Sequence, residues 1–202
     1  MEKVAVTGHT GFIGKHLVKG LEEAGYEVVR VDRNFTPVDC SRIYHLACPS
    51  TTEFTVNHTL EVMDIILDLT RKALKICPTA KFINASSVGA AELVSGPQGA
   101  YNIAKRCMEH YLQQTGRDIL NYRLPAVYGE GMHDDFFIKK CIDGRATPPT
   151  DPNRPYFIAH VSEVVDAMVK VKHFKVENIT LGEIYEQFNS GRRGLHRPTS
   201  NP

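Results

Sequence analysis

Tyr101 and Lys105 stand four residues apart in the run Tyr101-Asn102-Ile103-Ala104-Lys105. In a helix, residues at that separation share a face, so the phenol and the ammonium point into one space. A cation beside a phenol favours the phenolate and lowers the tyrosine pKa towards the range useful for proton transfer near neutral pH. An isolated pair of this kind is more often an exposed tyrosine and a solvated lysine. Two further features change that balance. Ser86-Ser87 lies at the carboxyl end of a strand expected over Lys81-Phe82-Ile83-Asn84-Ala85, where the ligands of open parallel sheets sit. Gly8, Gly11 and Gly14 follow directly on the apolar stretch Lys3-Val4-Ala5-Val6-Thr7. Glycines at such a strand-to-helix junction permit a tight turn, admit a pyrophosphate to backbone N–H groups and let helix pack closely on strand. Their spacing is G-x-x-G-x-x-G rather than G-x-G-x-x-G.

The elements that must position these groups are legible in outline. Lys3 to Thr7 reads as a buried parallel strand. Phe12, Ile13, Leu17, Val18 and Leu21 then recur at helical spacing up to a stop at Gly25. Glu27 to Val31 is a second strand with Asp32 at its end. A carboxylate about 20 residues beyond the glycines suits the hydroxyls of an adenosine ribose. It repels a 2′-phosphate and so favours NAD over NADP, while Arg33 beside it softens that preference by offering a phosphate a partner. The next strand covers Ile43 to Ala47. Arg33 to Ser41 is too short for a helical crossover, and fully extended it reaches about 30 Å. An extended crossover is expected, leaving the second strand at a sheet edge. A long helix starts at Thr55 or Asn57 and ends near Cys77-Pro78, with Leu60, Met63, Ile66 or Leu67, and Leu74 on its buried face. The Tyr101 helix runs to Gln114 and is followed by a strand over Ile119 to Leu124. Beyond Gly129 loops dominate. Phe136 to Ile142 reads as a short helix, Tyr156 to Ile158 as a strand, Val161 to Val171 as a helix and Leu181 to Phe188 as a last helix. A basic tail begins at Gly191, where Arg192 or Arg193 can meet a substrate phosphate.

Lys plus Arg (24) nearly balances Asp plus Glu (23), so no global field favours nucleic acid or an anionic membrane. No apolar run approaches the roughly 18 residues of a membrane span. The five cysteines are scattered with no Cys-x-x-Cys pair, and the nine histidines lack metal-ligand spacing, so no metal site is expected. Met1-Glu2-Lys3 leads straight into a strand, with no signal peptide expected. The reading is a protein of a reducing, cytoplasmic compartment.

Thr7 to Gly14, Asp32, His45-Leu46-Ala47, Ser86-Ser87, Tyr101 to Lys105 and Arg123-Leu124-Pro125-Ala126-Val127-Tyr128-Gly129 together resemble the extended short-chain dehydrogenase/reductase superfamily. Within it they are most similar to the NAD-dependent nucleotide-sugar epimerases and dehydratases, and Tyr156 to Ala167 is similar to a later signature of the same group. The resemblance implies an α/β fold with a Rossmann-type doubly wound parallel sheet, one strand-helix unit shorter than usual. A dinucleotide-binding core over residues 1–128 and a small substrate lobe over 129–202 would form a single compact unit. Gly8, Gly11, Phe12, Ile13 and Gly14 would hold the pyrophosphate of NAD, with Asp32 and Arg33 at the adenosine ribose and Leu46 and Ala47 lining the cofactor. Ser87, Tyr101 and Lys105 would be catalytic: Ser87 bonding the reacting sugar oxygen, Tyr101 exchanging its proton, and Lys105 binding the nicotinamide ribose and depressing the Tyr101 pKa. The implied activity is that of a nucleotide-sugar epimerase or oxidoreductase. An NDP-keto-sugar reductase is the alternative, and a non-catalytic NAD(P)-binding relative a further one. Two long helices would pair in a homodimer. Four departures mark the chain: the short Arg33–Ser41 crossover, Val88-Gly89 where 4,6-dehydratases carry an acidic pair, Ala126 where an asparagine is common, and a shortened substrate lobe.

Overall fold

The computed structural model describes residues 1–49, 52–91 and 99–189, and the basic tail lies outside them. The chain divides into two units, Met1–Leu124 and Pro125–Pro202.

In the first unit five parallel strands form one sheet in the order β2-β1-β3-β4-β5. They are β1 (Lys3–Thr7), β2 (Glu27–Val31), β3 (Arg42–His45), β4 (Lys81–Ser87) and β5 (Ile119–Leu124). Helix α1 (Phe12–Glu23) links β1 to β2 and buries Gly14, Leu17, Val18 and Leu21. The expected extended crossover is present: residues 36–40 carry no helix or strand between β2 and β3, and β2 is an edge. Phe35, at φ +50°, bends this segment so that Phe35 and Val38 pack against a core built from Ala5, Ile43, Ile66, Ile76, Phe82 and Met108. Such a φ is unusual for a bulky residue; burial of the ring compensates for it here. The Val38 N–H bonds the Ile76 carbonyl at 3.0 Å, so the crossover is tied to the end of α3 (Thr59–Ile76).

The α2–α3 region differs from expectation. A short helix α2 (Thr52–Asn57) precedes α3, whose N-cap is His58 rather than Thr55 or Asn57. The buried face of α3 is Val62, Ile66, Thr70, Ala73 and Ile76, with Met63, Leu67 and Leu74 only partly covered. Leu60, expected inside, is 83% exposed. Hydrophobic spacing alone could not place the core-facing edge of this helix to within one residue. Helix α4 (Gly99–Gln113) begins two residues before Tyr101 and packs against α3.

In the second unit β6 (Ala126–Tyr128) pairs parallel with β7 (Pro155–His160), and β7 pairs antiparallel with β8 (Glu177–Thr180). Helices α5 (Phe137–Ile142), α6 (Val161–Lys170) and α7 (Leu181–Asn189) complete it. The division between the units falls at Leu124 and not at residue 128, because β6 pairs with β7.

Candidate active site

Register sets the site before any side chain is considered. Thr7 of β1 is level with Val31 of β2 and with His45 of β3, and His45 is level with Asn84 of β4. Chain leaving these strands therefore emerges along one edge of the sheet. At that edge Gly8 takes φ +68°, and the Gly11 N–H bonds the Gly8 carbonyl at 3.0 Å. A methyl group on Gly14 would overlap the Gly8 carbonyl oxygen, and one on Gly8 would sit 2.7 Å from the Ala47 nitrogen. These glycines are needed for close approach: α1 packs onto the turn that precedes it, and the turn onto the segment after β3. Gly11 is the N-cap of α1 and no side chain caps it, so the first N–H groups of the helix remain available to an anion. Phe12 and Ile13, half-buried, form its first turn. The cradle fits a dinucleotide pyrophosphate.

Asp32 is exposed and its Oδ1 accepts the Asn34 N–H at 2.9 Å, while Arg33 is exposed beside it. Leu46 and Ala47 are half-buried, and the Ala47 N–H donates to the Thr7 hydroxyl at 3.2 Å.

Helix α4 is fastened to the end of β4 at two points. The Lys105 ammonium, buried with the side chain 3% exposed, donates to the Ala85 carbonyl at 2.7 Å. Gly89 lies so close to the Asn102 side chain that a methyl group there would overlap it. Ala85 and Gly89 flank Ser87, and Asn102 adjoins Tyr101, so the serine and the tyrosine are held in one neighbourhood by contacts on both sides. The Ser87 hydroxyl accepts the Gly89 N–H at 3.1 Å, which leaves its own hydrogen free to donate.

One expectation is corrected. Lys105 does not depress the Tyr101 pKa. Its Nζ lies over the ring, 5.6 Å from the centroid, and is committed to Ala85. Burial pushes the phenol well above its ordinary value, and the neighbouring Cys48 thiol raises it further. Desolvation of the phenolate outweighs the cation, so Tyr101 stands as a neutral acid.

A buried histidine, not singled out as a site residue in the sequence, ties β1, β3 and α3 together beneath this edge. His45 is buried (3% exposed), with Nδ1 at 2.9 Å from the Thr7 hydroxyl and Nε2 at 3.3 Å from that of Thr70. Thr70 gives its hydrogen to the Ile66 carbonyl at 2.8 Å, so it can only accept from the ring. Nε2 therefore carries the proton, and Nδ1 accepts from Thr7. Burial, then the Lys105 ammonium, pushes the His45 pKa down to about 3. Its signal was in the quoted His45-Leu46-Ala47 run, but only the strand register shows its partners. Cys48 was likewise passed over as one scattered thiol.

The profile of the NAD dependent epimerase/dehydratase family matches residues 4–186. Among curated relatives, the UDP-2-acetamido-2,6-beta-L-arabino-hexul-4-ose reductase of Pseudomonas aeruginosa is 25% identical over 96% of the chain. The chain spans about three-fifths of that relative's length, 59%. RMD from Pseudomonas aeruginosa, solved with NADPH, is similar in fold with a TM-score of 0.76 and 19% identity, over 92% of this chain and 80% of its own. The UDP-glucose 4-epimerase of Thermus thermophilus, solved with NAD, gives a TM-score of 0.73 and 21% identity, over 93% of this chain and 82% of its own.

Proposed function

We propose, from the premise that this chain belongs to the NAD dependent epimerase/dehydratase family, that it oxidises or reduces a carbinol or keto carbon of a nucleotide-linked sugar, as an epimerase or oxidoreductase using NAD. The single observation that carries the reading is the 2.7 Å bond from Lys105 to Ala85, which seats Tyr101 and Lys105 at the end of the strand that delivers Ser87.

Each residue has work that its environment supports. Gly8, Gly11 and Gly14 hold the pyrophosphate, with Phe12 and Ile13 in the helical turn behind it. Asp32 takes the adenosine ribose, Arg33 stands beside it, and Leu46 and Ala47 line the cofactor. The nicotinamide supplies or accepts hydride when bound. Ser87 donates its free hydrogen to the sugar oxygen. Tyr101 gives that oxygen a proton as the carbonyl is reduced, or takes it back in the reverse direction. Lys105 retains N–H donors beyond the one spent on Ala85, and these serve the nicotinamide ribose.

The neutral Tyr101 favours a second, narrower reading, an NDP-keto-sugar reductase. A phenol is already in its acid form near neutral pH, and burial raises it further, which weakens it as the base that an oxidation step needs while leaving it able to donate in a reduction. The test is to incubate the protein with candidate nucleotide sugars and dinucleotide. An epimerase yields a new sugar with no net change in NADH, whereas a reductase consumes NADH one for one with a keto-sugar. Binding of NAD without turnover of any such substrate overturns both and leaves a binding protein.

A homodimer through α3 and α4 belongs to the same proposal. Leu60, Ile103 and Tyr111 lie exposed on this packed pair, apolar area that a second copy would cover.

A further inference from the structure

His9 follows Gly8 in the glycine turn and reaches across to the neighbouring strand. Its Nδ1 lies 3.2 Å from the carbonyl oxygen of Val31, the last residue of β2. A carbonyl only accepts, so Nδ1 carries a proton, and in the neutral imidazole Nε2 is then left with a lone pair. The ring is half-buried, and no other described residue bonds it. Nε2 is thus an unclaimed acceptor at the junction of β1 and β2, and the residue whose carbonyl the ring holds is followed directly in the chain by Asp32.

The groups around that junction form an uneven set. Asp32 is exposed, with Oδ1 accepting only the Asn34 N–H. Arg30 is paired to Glu22 at 2.6 Å. Arg33 is exposed and without an ion pair among the described residues. The His9 Nε2 and the Asp32 carboxylate are both acceptors, and acceptors match a ligand that brings hydrogens, such as a ribose diol. They match poorly a phosphate ester, which brings none and adds charge opposite Asp32.

We infer that His9 is a specificity-determining residue: its Nε2 accepts a hydrogen bond from the adenosine 2′-hydroxyl beside Asp32 and thereby selects NAD over NADP. The inference rests on the dinucleotide reading proposed above and adds to it a residue outside the three glycines and the acidic strand end.

The experiment is calorimetric titration of the full chain and of His9→Ala with three probes: NAD, its adenosine 2′-deoxy analogue, and NADP. Loss of one neutral hydrogen bond should weaken NAD about three- to tenfold in His9→Ala. The 2′-deoxy analogue should bind wild type and variant alike, and NADP should bind wild type less tightly than NAD does. Equal weakening of NAD and its deoxy analogue would assign His9 a role in shaping the turn and overturn the inference, as would an unchanged NAD affinity. Tighter binding of NADP than of NAD by the wild type would overturn it as well. If the wild type binds none of the three, the dinucleotide reading itself fails. His9→Gln, whose amide N–H can donate to Val31 and whose carbonyl oxygen can accept as Nε2 does, is the rescue: its thermal midpoint should match wild type and its NAD affinity should exceed that of His9→Ala.

Discussion

At the scale of single residues, the chemistry turns on what burial does to two ionisable side chains. Tyr101 is an acid held in its neutral form, so Tyr101→Phe removes the transferable proton and little else. Its kcat should fall about 10²- to 10⁴-fold while NAD titrates with the wild-type affinity; a variant that retains most of its turnover would remove the tyrosine from the mechanism. His45 makes a prediction about stability. Its folded pKa of about 3 lies below the unfolded value of 6.5, so between those limits the unfolded chain binds the extra proton. Stability contributed by the neutral ring is therefore complete above pH 6.5 and is lost as pH falls towards 3, by about 3 kcal/mol at pH 4. Glu109, held down against burial mainly by its hydrogen bond to Arg123, and Glu183, held down by the Thr180 N–H and hydroxyl, both have lowered pKa values, so their contributions start to be lost as pH falls through the unfolded value of 4.5. Urea unfolding between pH 7 and about 5.5 isolates the histidine from these carboxylates: wild type should weaken steadily, and His45→Gln should give a flat profile in that window. A wild-type profile that is itself flat would show that the ring takes up its proton without cost.

At the scale of elements, the glycine turn shows how a strand, a helix and a loop come to share one edge. Gly14 and Gly25 are both glycines near an end of α1, yet they answer to different physics. A methyl on Gly14 meets backbone, the Gly8 carbonyl, and neither partner can rotate away. Gly25 has nothing within 4 Å, and its φ of +86° is the sole obstacle to a side chain. Gly25→Ala should cost about 1 kcal/mol from the left-handed backbone and leave NAD affinity intact. Gly14→Ala should cost about 2–3 kcal/mol as α1 lifts from β1, and NAD affinity should fall with it. Paired urea curves and titrations test this, and equal losses in the two variants would refute the close-packing argument. The same turn was legible from sequence, because glycine spacing after an apolar strand encodes a local geometry. Local signals also sufficed for the extended crossover, since Arg33 to Ser41 has no room for a helix. They failed for β6 and β8. These strands are three and four residues long and exist through pairing with β7, whose paired residues lie 32 positions on from those of β6 (Ala126 with Ile158), which no local pattern announces. They failed again for Tyr101, where helix spacing correctly put the lysine alongside but gave no measure of the desolvation that reverses the expected pKa shift.

At the scale of the whole molecule, the error over Leu60 is informative. Leu60 was expected on the buried face of this helix with Met63, Ile66 or Leu67, and Leu74, yet the first turn of α3 leaves it 83% exposed. On α4, Ile103 (44% exposed) and Tyr111 (40%) stand eight residues apart with exposed Cys107 between them, so one apolar stripe follows the outer face of the helix. Phe157, at 41% exposed on β7 of the other unit, is a comparable residue that belongs to no such stripe. Scattered exposed apolar side chains need no explanation, but a stripe along one helix does. If α3 and α4 pair with their copies, sedimentation should give twice the 22.6 kDa of one chain. An aspartate introduced at Ile103 together with one at Tyr111 would place charge in the centre of that interface and should shift the protein to single chains, with unfolding by urea nearly unchanged for the isolated subunit. Phe157→Asp should leave the mass at the dimer value, because the residue belongs to neither α3 nor α4. A wild type that sediments as one chain at micromolar concentration would remove the dimer, and a double variant that stays paired would move the interface to another face.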